Sequence, residues 1–143
     1  MKIREIMTTD VSWLKPDDTV ETAANIMQKL DVGILPICTE NKDLIGLLTD
    51  RDIVIRNVAK GKDAKDTTVK DIMSSKLTWG TPDMDVVDAC ETMAIHQIRR
   101  LPIVENNSLV GIVSLGDIVL QSDFDIEASQ ALCDICERDW KRD

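Results

Sequence analysis

Aromatic residues are almost missing from this 143-residue chain, which has three Trp, one Phe and no Tyr. That leaves little to stack on the bases of a single strand. Basic charge is short as well: 17 Lys and Arg stand against 26 Asp and Glu, for a formal net charge of −9. Such a surface repels phosphate backbones and excludes a broad nucleic-acid-binding face. A small anion held locally by a few arginines is still allowed. No run approaches the roughly 18 apolar residues that span a bilayer, so no membrane role is expected. The opening Met1-Lys2-Ile3-Arg4-Glu5 lacks the apolar stretch of a secretory signal. A cytoplasmic location is therefore expected. There is also no glycine-rich phosphate loop, nucleophile–base pair, paired-carboxylate cleft or histidine cluster. The one His, His96, aligns with Leu30 at the end of a buried stripe and reads as structural. Asp17-Asp18 and Asp83 have turn and capping roles. These absences argue against an enzyme.

What the chain does have is repetition. Ile6-Met7 recurs 66 residues later as Ile72-Met73, Trp13 as Trp79, Pro16-Asp17 as Pro82-Asp83, and Leu35-Pro36-Ile37 as Leu101-Pro102-Ile103. After a one-residue deletion the offset becomes 65, and Gly46 meets Gly111 while Asp52-Ile53-Val54 meets Asp117-Ile118-Val119. A duplication of this length predicts two copies of one structural unit and two equivalent clefts. The copies divide the chain into a first domain over 1–60, a linker over 61–68 and a second domain over 69–122. A C-terminal helix over 123–143 lies outside the repeat.

Each copy reads in the same order. A short amphipathic turn (3–7; 69–73) leads to a brief strand near 11–14 or 77–79. Pro16-Asp17-Asp18 then starts a helix, with Asp18 as N-cap and Glu21 three residues on. Val20, Ala23, Ala24, Met27 and Leu30 give that helix a buried stripe, repeated by Val86, Ala89, Cys90 and Met93. Two short strands follow (34–39 and 44–49; 101–105 and 109–114), then a final helix (50–59; 115–121). The order predicts an α+β fold, each copy a small sheet with two helices packed on one face. In the tail, Ile126, Cys133 and Trp140 are spaced by seven, with Leu132 and Cys136 beside them. That is an amphipathic helix that must dock on its own core or on a second subunit. Cys38 and Cys90 sit at core positions. Cys133-x-x-Cys136 reads either as half of a zinc or redox motif or as helix packing.

Each copy ends its last strand with hydroxyl-x-x-carboxylate, Thr49-Asp50-Arg51-Asp52 and Ser114-Leu115-Gly116-Asp117. One reading is a helix cap, in which the hydroxyl and the acid three residues on satisfy free backbone N–H groups. The other is a corner that receives a phosphate, with the Asp chelating a ribose. The duplicated pattern, with Gly33-Ile34-Leu35-Pro36-Ile37 and Gly46-Leu47-Leu48-Thr49-Asp50-Arg51-Asp52-Ile53, resembles a tandem pair of cystathionine-β-synthase (CBS) domains over residues 1 to about 122. The resemblance implies a dimer that binds an adenosine-containing ligand such as AMP, ATP or S-adenosylmethionine in clefts between paired domains. Carried over by position, site one uses Ser12, Trp13, Ile34, Leu35, Thr49 and Asp52. Site two uses Thr78, Trp79, Arg100, Leu101, Ser114 and Asp117. Where copy one has Gly33-Ile34, copy two has Arg99-Arg100, which suits a phosphate or else a solvated helix end. Arg51 and Arg56 are further cationic candidates in copy one, though Arg56 reads first as a surface salt bridge.

The expected function is a stand-alone regulatory module that binds an adenine nucleotide, forms a homodimer and signals to a separate effector protein. No cofactor or metal is expected. The alternatives are a dimeric scaffold with vestigial sites, or a thiol or metal sensor through Cys133 and Cys136.

Overall fold

The computed structural model describes residues 1–121 and the backbone of 125–141, with side chains from 126 to 135 in that last segment. It forms two compact units, Ser12–Leu77 on one hand and Met1–Val11 with Thr78 onward on the other. The boundaries at 60 and 69 follow the repeat, whereas packing divides the chain after Val11 and after Leu77. Each body is therefore completed by the leading turn of the other repeat.

In the Ser12–Leu77 unit, α1 spans Val20–Leu30. Its cap is Thr19, whose hydroxyl accepts from the Thr22 amide at 3.1 Å. Asp18, the expected cap, is held instead by the Lys15 amide at 2.8 Å. A short carboxylate takes the nearest backbone donor, and here that donor lies in the preceding turn. Val20, Ala23 and Met27 are buried as the stripe predicts, but Ala24 and Leu30 are exposed. The antiparallel hairpin is β1 (Ile34–Cys38) and β2 (Leu44–Thr49). Thr49 then caps α2 (Asp50–Ile53), which runs on as a π-helical turn over Val54–Val58. The brief strand expected at 11–14 is only a parallel bridge from Leu14 to Ile37. Pro16 has no N–H with which to extend it.

The second unit repeats this order with α3 (Val86–His96), β3 (Arg100–Glu105), β4 (Ser108–Ser114) and α4 (Leu115–Val119). Asn106 and Asn107, at φ 52° and 68°, make the two-residue turn of its hairpin. The strand expected at 77–79 is again one parallel bridge, from Gly80 to Ile103. His96 is exposed at the end of α3 and does not close a buried stripe.

The last helix, α5 (Asp125–Lys141), packs against α3 and α4 of this unit. Its docked face is Ala128, Ala131 and Ile135, not the expected seven-residue series. Ile126 is 78% exposed and Cys133 is exposed; the side chains of Cys136 and Trp140 lie outside the described residues. Two alanines allow the helix axes to approach, so the smaller side chains took the buried face. This packing also explains Cys90. It is buried in the cluster that holds Ala128 and Ala131, whereas its counterpart Ala24 is exposed.

Each leading turn is a single 3-10 turn, Ile3–Glu5 or Val69–Asp71. Both dock by matching bonds. The Ile3 and Arg4 amides donate to the carbonyls of Met84 and Pro82, and the Val69 and Lys70 amides to those of Asp18 and Pro16. Thr8 and Ile112 exchange amide bonds at 2.9 and 3.0 Å; Ser74 and Leu47 do so at the same distances. The apolar anchors Ile3 and Val69 are fully buried. The exposed pairs Arg4–Asp83 and Lys70–Asp17 add little beside that burial.

Glycine is required where the turn meets the hairpin. A Cβ on Gly46 would collide with the side chain of Met73, and one on Gly111 would lie 2.8 Å from Met7 Sδ and 2.9 Å from the Thr8 carbonyl. Gly46→Ala should cost about 1–3 kcal/mol through overpacking. Met73→Ala in the same chain should recover part of that loss, because every close contact at Gly46 belongs to Met73. Met7→Ala should rescue Gly111→Ala less well, since a backbone oxygen stays in the way. Urea unfolding of the single and double variants checks both; strictly additive losses at Gly46 and Met73 would refute the contact.

Burial also raises the Cys38 and Cys90 thiols to about 11. Glu127 and Glu91 push Cys90 further in that direction. At neutral pH both are protonated and poor nucleophiles, so iodoacetamide should label exposed Cys133 first, read by mass spectrometry. Unfolded cysteine titrates near about 8.5, so above that pH the unfolded chain holds fewer protons than the folded one. Stability should then fall as pH rises from there towards about 11.

Candidate functional site

The two strand-to-helix corners are built alike. In copy one the Thr49 hydroxyl accepts from the Asp52 amide at 3.1 Å, and Asp52 Oδ2 accepts from the Thr49 amide at 2.9 Å. In copy two Ser114 and Asp117 make the same pair of bonds at 3.0 and 2.9 Å. The capping reading is therefore present in full at both corners. It does not use up the carboxylates, because each cap occupies one oxygen. Asp52 Oδ1 faces Arg56 Nε at 3.8 Å. Asp117 Oδ1 has no hydrogen bond or ion pair among the described residues. A cap of this kind fixes the carboxylate rotamer and leaves one oxygen for another donor, such as a vicinal diol.

Strand register brings more of the expected residues to each corner. Ile34 pairs with Thr49, and Arg100 pairs with Ser114. The Asp50 amide donates to the Gly33 carbonyl at 2.9 Å, and the Leu115 amide to the Arg99 carbonyl at 2.8 Å, so the residue before each hairpin is tied to the first helical residue. Leu35 and Leu101 are buried in the cores; only their backbones can face a ligand. Ser12 and Trp13 lead into the Leu14 bridge, and Thr78 and Trp79 into the Gly80 bridge. None of these four makes a side-chain hydrogen bond to its corner. Trp79 is 51% exposed.

The corners differ in charge. At copy one, Asp50 sits over Gly33, its Oδ2 only 3.0 Å from where a Cβ would be. At copy two, Asp50 is replaced by buried Leu115 and Gly33 by exposed Arg99. Arg99 and Arg100 have no carboxylate partner among the described residues. Arg56, by contrast, is engaged structurally and donates to the carbonyls of Ile72 and Met73 at 3.1 and 3.2 Å.

Beside the copy-two corner lies a cleft of about 380 Å³, lined by Arg99, Arg100 and Ser114 with Leu115, Gly116 and Val119 of α4 and Ala128, Ser129 and Leu132 of α5. This is within the range of small-molecule sites. The sequence reading named Arg99, Arg100 and Ser114 here. The repeat carries no signal for the α5 residues, because that helix lies outside it and docks by its small side chains. Among the described residues, no group of three or more His, Cys, Asp or Glu is placed to hold a metal, and no helix is long and apolar enough to cross a membrane.

Comparison with known proteins gives these corners a context. The CBS domain family model matches twice, over residues 3–57 and 69–122. The CBS domain-containing protein YhcV of Bacillus subtilis is 44% identical over 133 residues, covering 93% of this chain and 94% of that one. The structure of Hypoxic Response Protein I, solved with two coordinated zinc ions, superposes with a TM-score of 0.78 at 34% identity, covering 84% of this chain and 98% of that one. The CBS domain pair of protein MJ0100, in complex with 5′-methylthioadenosine and S-adenosyl-L-methionine, gives a TM-score of 0.76 at 25% identity over 87% and 98% of the two chains. A fold of two like α+β units, matched twice by one family model and by a relative along nearly its whole length, makes this chain a member of the CBS domain family, with two CBS domains in tandem.

Proposed function

We propose that this protein is a regulatory module that binds an adenosine-containing ligand at its Thr49–Asp52 and Ser114–Asp117 corners. The observation that carries the reading is the capped carboxylate at each corner, whose cap uses one oxygen and leaves the other without a hydrogen bond among the described residues. The adenosine-containing ligands bound to the MJ0100 domain pair support the choice of ligand class. Asp52 and Asp117 hold the ribose. Ile34 and Arg100 flank it from the hairpins, with Ser12, Trp13, Thr78 and Trp79 as further contacts. The role is regulatory binding, not catalysis. Ligand acts by differential affinity for two arrangements of the protein, and can shift their populations only by that difference.

The corners should not bind alike. Copy two offers two guanidiniums with no carboxylate partner among the described residues; copy one offers Asp50 and, at the positions of Arg99 and Arg100, Gly33 and Ile34. Charge-assisted hydrogen bonds contribute roughly 1.5–3 kcal/mol, enough to set AMP and ATP apart from adenosine at copy two. Arg100→Ala should therefore weaken AMP and ATP by about tenfold or more and leave adenosine nearly unchanged. Asp117→Asn keeps an oxygen to accept from the Ser114 amide while losing the charge that a diol would meet, and should weaken all three ligands. Calorimetry on the parent and both variants decides it. Equal affinity for the three ligands in the parent would remove the phosphate argument, and no binding at all would favour a scaffold with vestigial sites.

The module is also proposed to be a homodimer. Val54, Ile55 and Val58 of the π-helical turn and Ile95, Val119 and Leu120 of the second unit are exposed apolar side chains. Such surface is a common contact for association. Light scattering at micromolar concentration should report twice the 16.0 kDa chain mass; a monomer alone would rule it out.

A further inference from the structure

We infer that α5 is a wall of the copy-two ligand site, so that docking of this helix and binding of a phosphate-bearing mononucleotide stabilise each other. The inference rests on the nucleotide reading above and goes beyond it, because α5 lies outside the repeat and outside the residues that the family model matches.

The cleft has two unlike sides. Arg99, Arg100 and Ser114 line it from the hairpin, and Ala128, Ser129 and Leu132 line it from α5. In a chain of net charge −9, two adjacent guanidiniums with no carboxylate partner among the described residues are an uncommon arrangement, and both line this cleft. Its volume, about 380 Å³, is near the small end of ligand sites and fits one nucleotide better than a dinucleotide. The cationic side suits phosphate, and the apolar surface of Val119 and Leu132 suits a base. Without α5 the same groups would form an open corner, where water screens the charges.

The helix is seated through Ala128, Ala131 and Ile135, so the wall is a consequence of docking and not of an independent loop. Copy one has no equivalent: after its π-helical turn the chain runs on to the Val69–Asp71 turn, which completes that unit's core. Anything that binds between α5 and the arginines must favour the docked helix, and by reciprocity a docked helix favours binding.

The test uses the full chain. Leu132 is 41% exposed, so Leu132→Glu places a carboxylate before the arginines without touching the seated face; Ser129→Glu does so from the previous turn. Each should weaken AMP by about tenfold or more by occupying the arginines and repelling phosphate. Ile126→Glu, the same charge change at a 78% exposed position of the same helix, should change affinity less than about twofold. Hydrogen exchange on the unmodified protein gives an independent reading, since saturating AMP should slow amide exchange across 125–141 by about fivefold or more. AMP binding that neither glutamate variant weakens, with exchange in α5 unaltered, overturns the inference and leaves the nucleotide reading intact. Absence of adenosine, AMP and ATP binding in the parent overturns both.

Discussion

The seat of a methionine against a bare glycine backbone fixes the position of almost everything else in each unit. A two-stranded hairpin is marginal by itself, and here each one gains a third edge from the leading turn, through paired amide bonds at Thr8–Ile112 and Ser74–Leu47. That edge approaches only because Gly46 and Gly111 leave room for Met73 and Met7. The second strand of each hairpin ends three residues later, at Thr49 or Ser114. The place and angle of the strand-to-helix corner are thus inherited from a packing contact on the strand that leads to it.

Once the corner is placed, its chemistry is set by few residues. Capping geometry is the same in both copies to within 0.1 Å in each hydrogen bond, yet the neighbours invert the local charge. Gly33 with Asp50 makes copy one acidic at the point where Arg99 with Leu115 makes copy two basic. Fold and local charge are carried by different positions: a duplicated gene can hold the caps, glycines and core unchanged while the flanking residues diverge. Addition of α5 to one unit takes that divergence further, burying Cys90 and walling one corner.

The repeat made most of this fold legible. Offsets of 66 and 65 located both hairpins, both helices and both caps, because those features depend on local residue types that the copies share. What was not legible has physical reasons. Asp18 and Thr19 are both good caps, and the Lys15 amide decides between them by its position. Periodicity in the tail was read from Ile126 and Cys133, but close helix packing selects small residues, and Ala128 and Ala131 hold the face. Nor does self-similarity say which body a leading turn completes: a turn that matches in sequence fits either hairpin glycine, and the chain places each on the other repeat's body. Register and capping bring Arg100, Ser114 and Asp117 together at one corner, as their positions in the repeat suggest. Leu35 and Leu101 were read from position alone, and their side chains belong to the cores.

Under the nucleotide reading, this asymmetry limits what the molecule can report. Adenosine contacts shared by the two corners, ribose on Asp52 or Asp117, contribute nearly equally to both and cannot tell one ligand state from another. Phosphate can, since it meets Asp50 at one corner and two guanidiniums at the other. A ligand shifts an equilibrium only by its difference in affinity for the two states. The strongest such difference available here is electrostatic, at the corner that α5 flanks. A module built this way responds to the charge of its ligand more than to the identity of the base, and the helix added beside the arginines is the element best placed to pass that response to the rest of its unit.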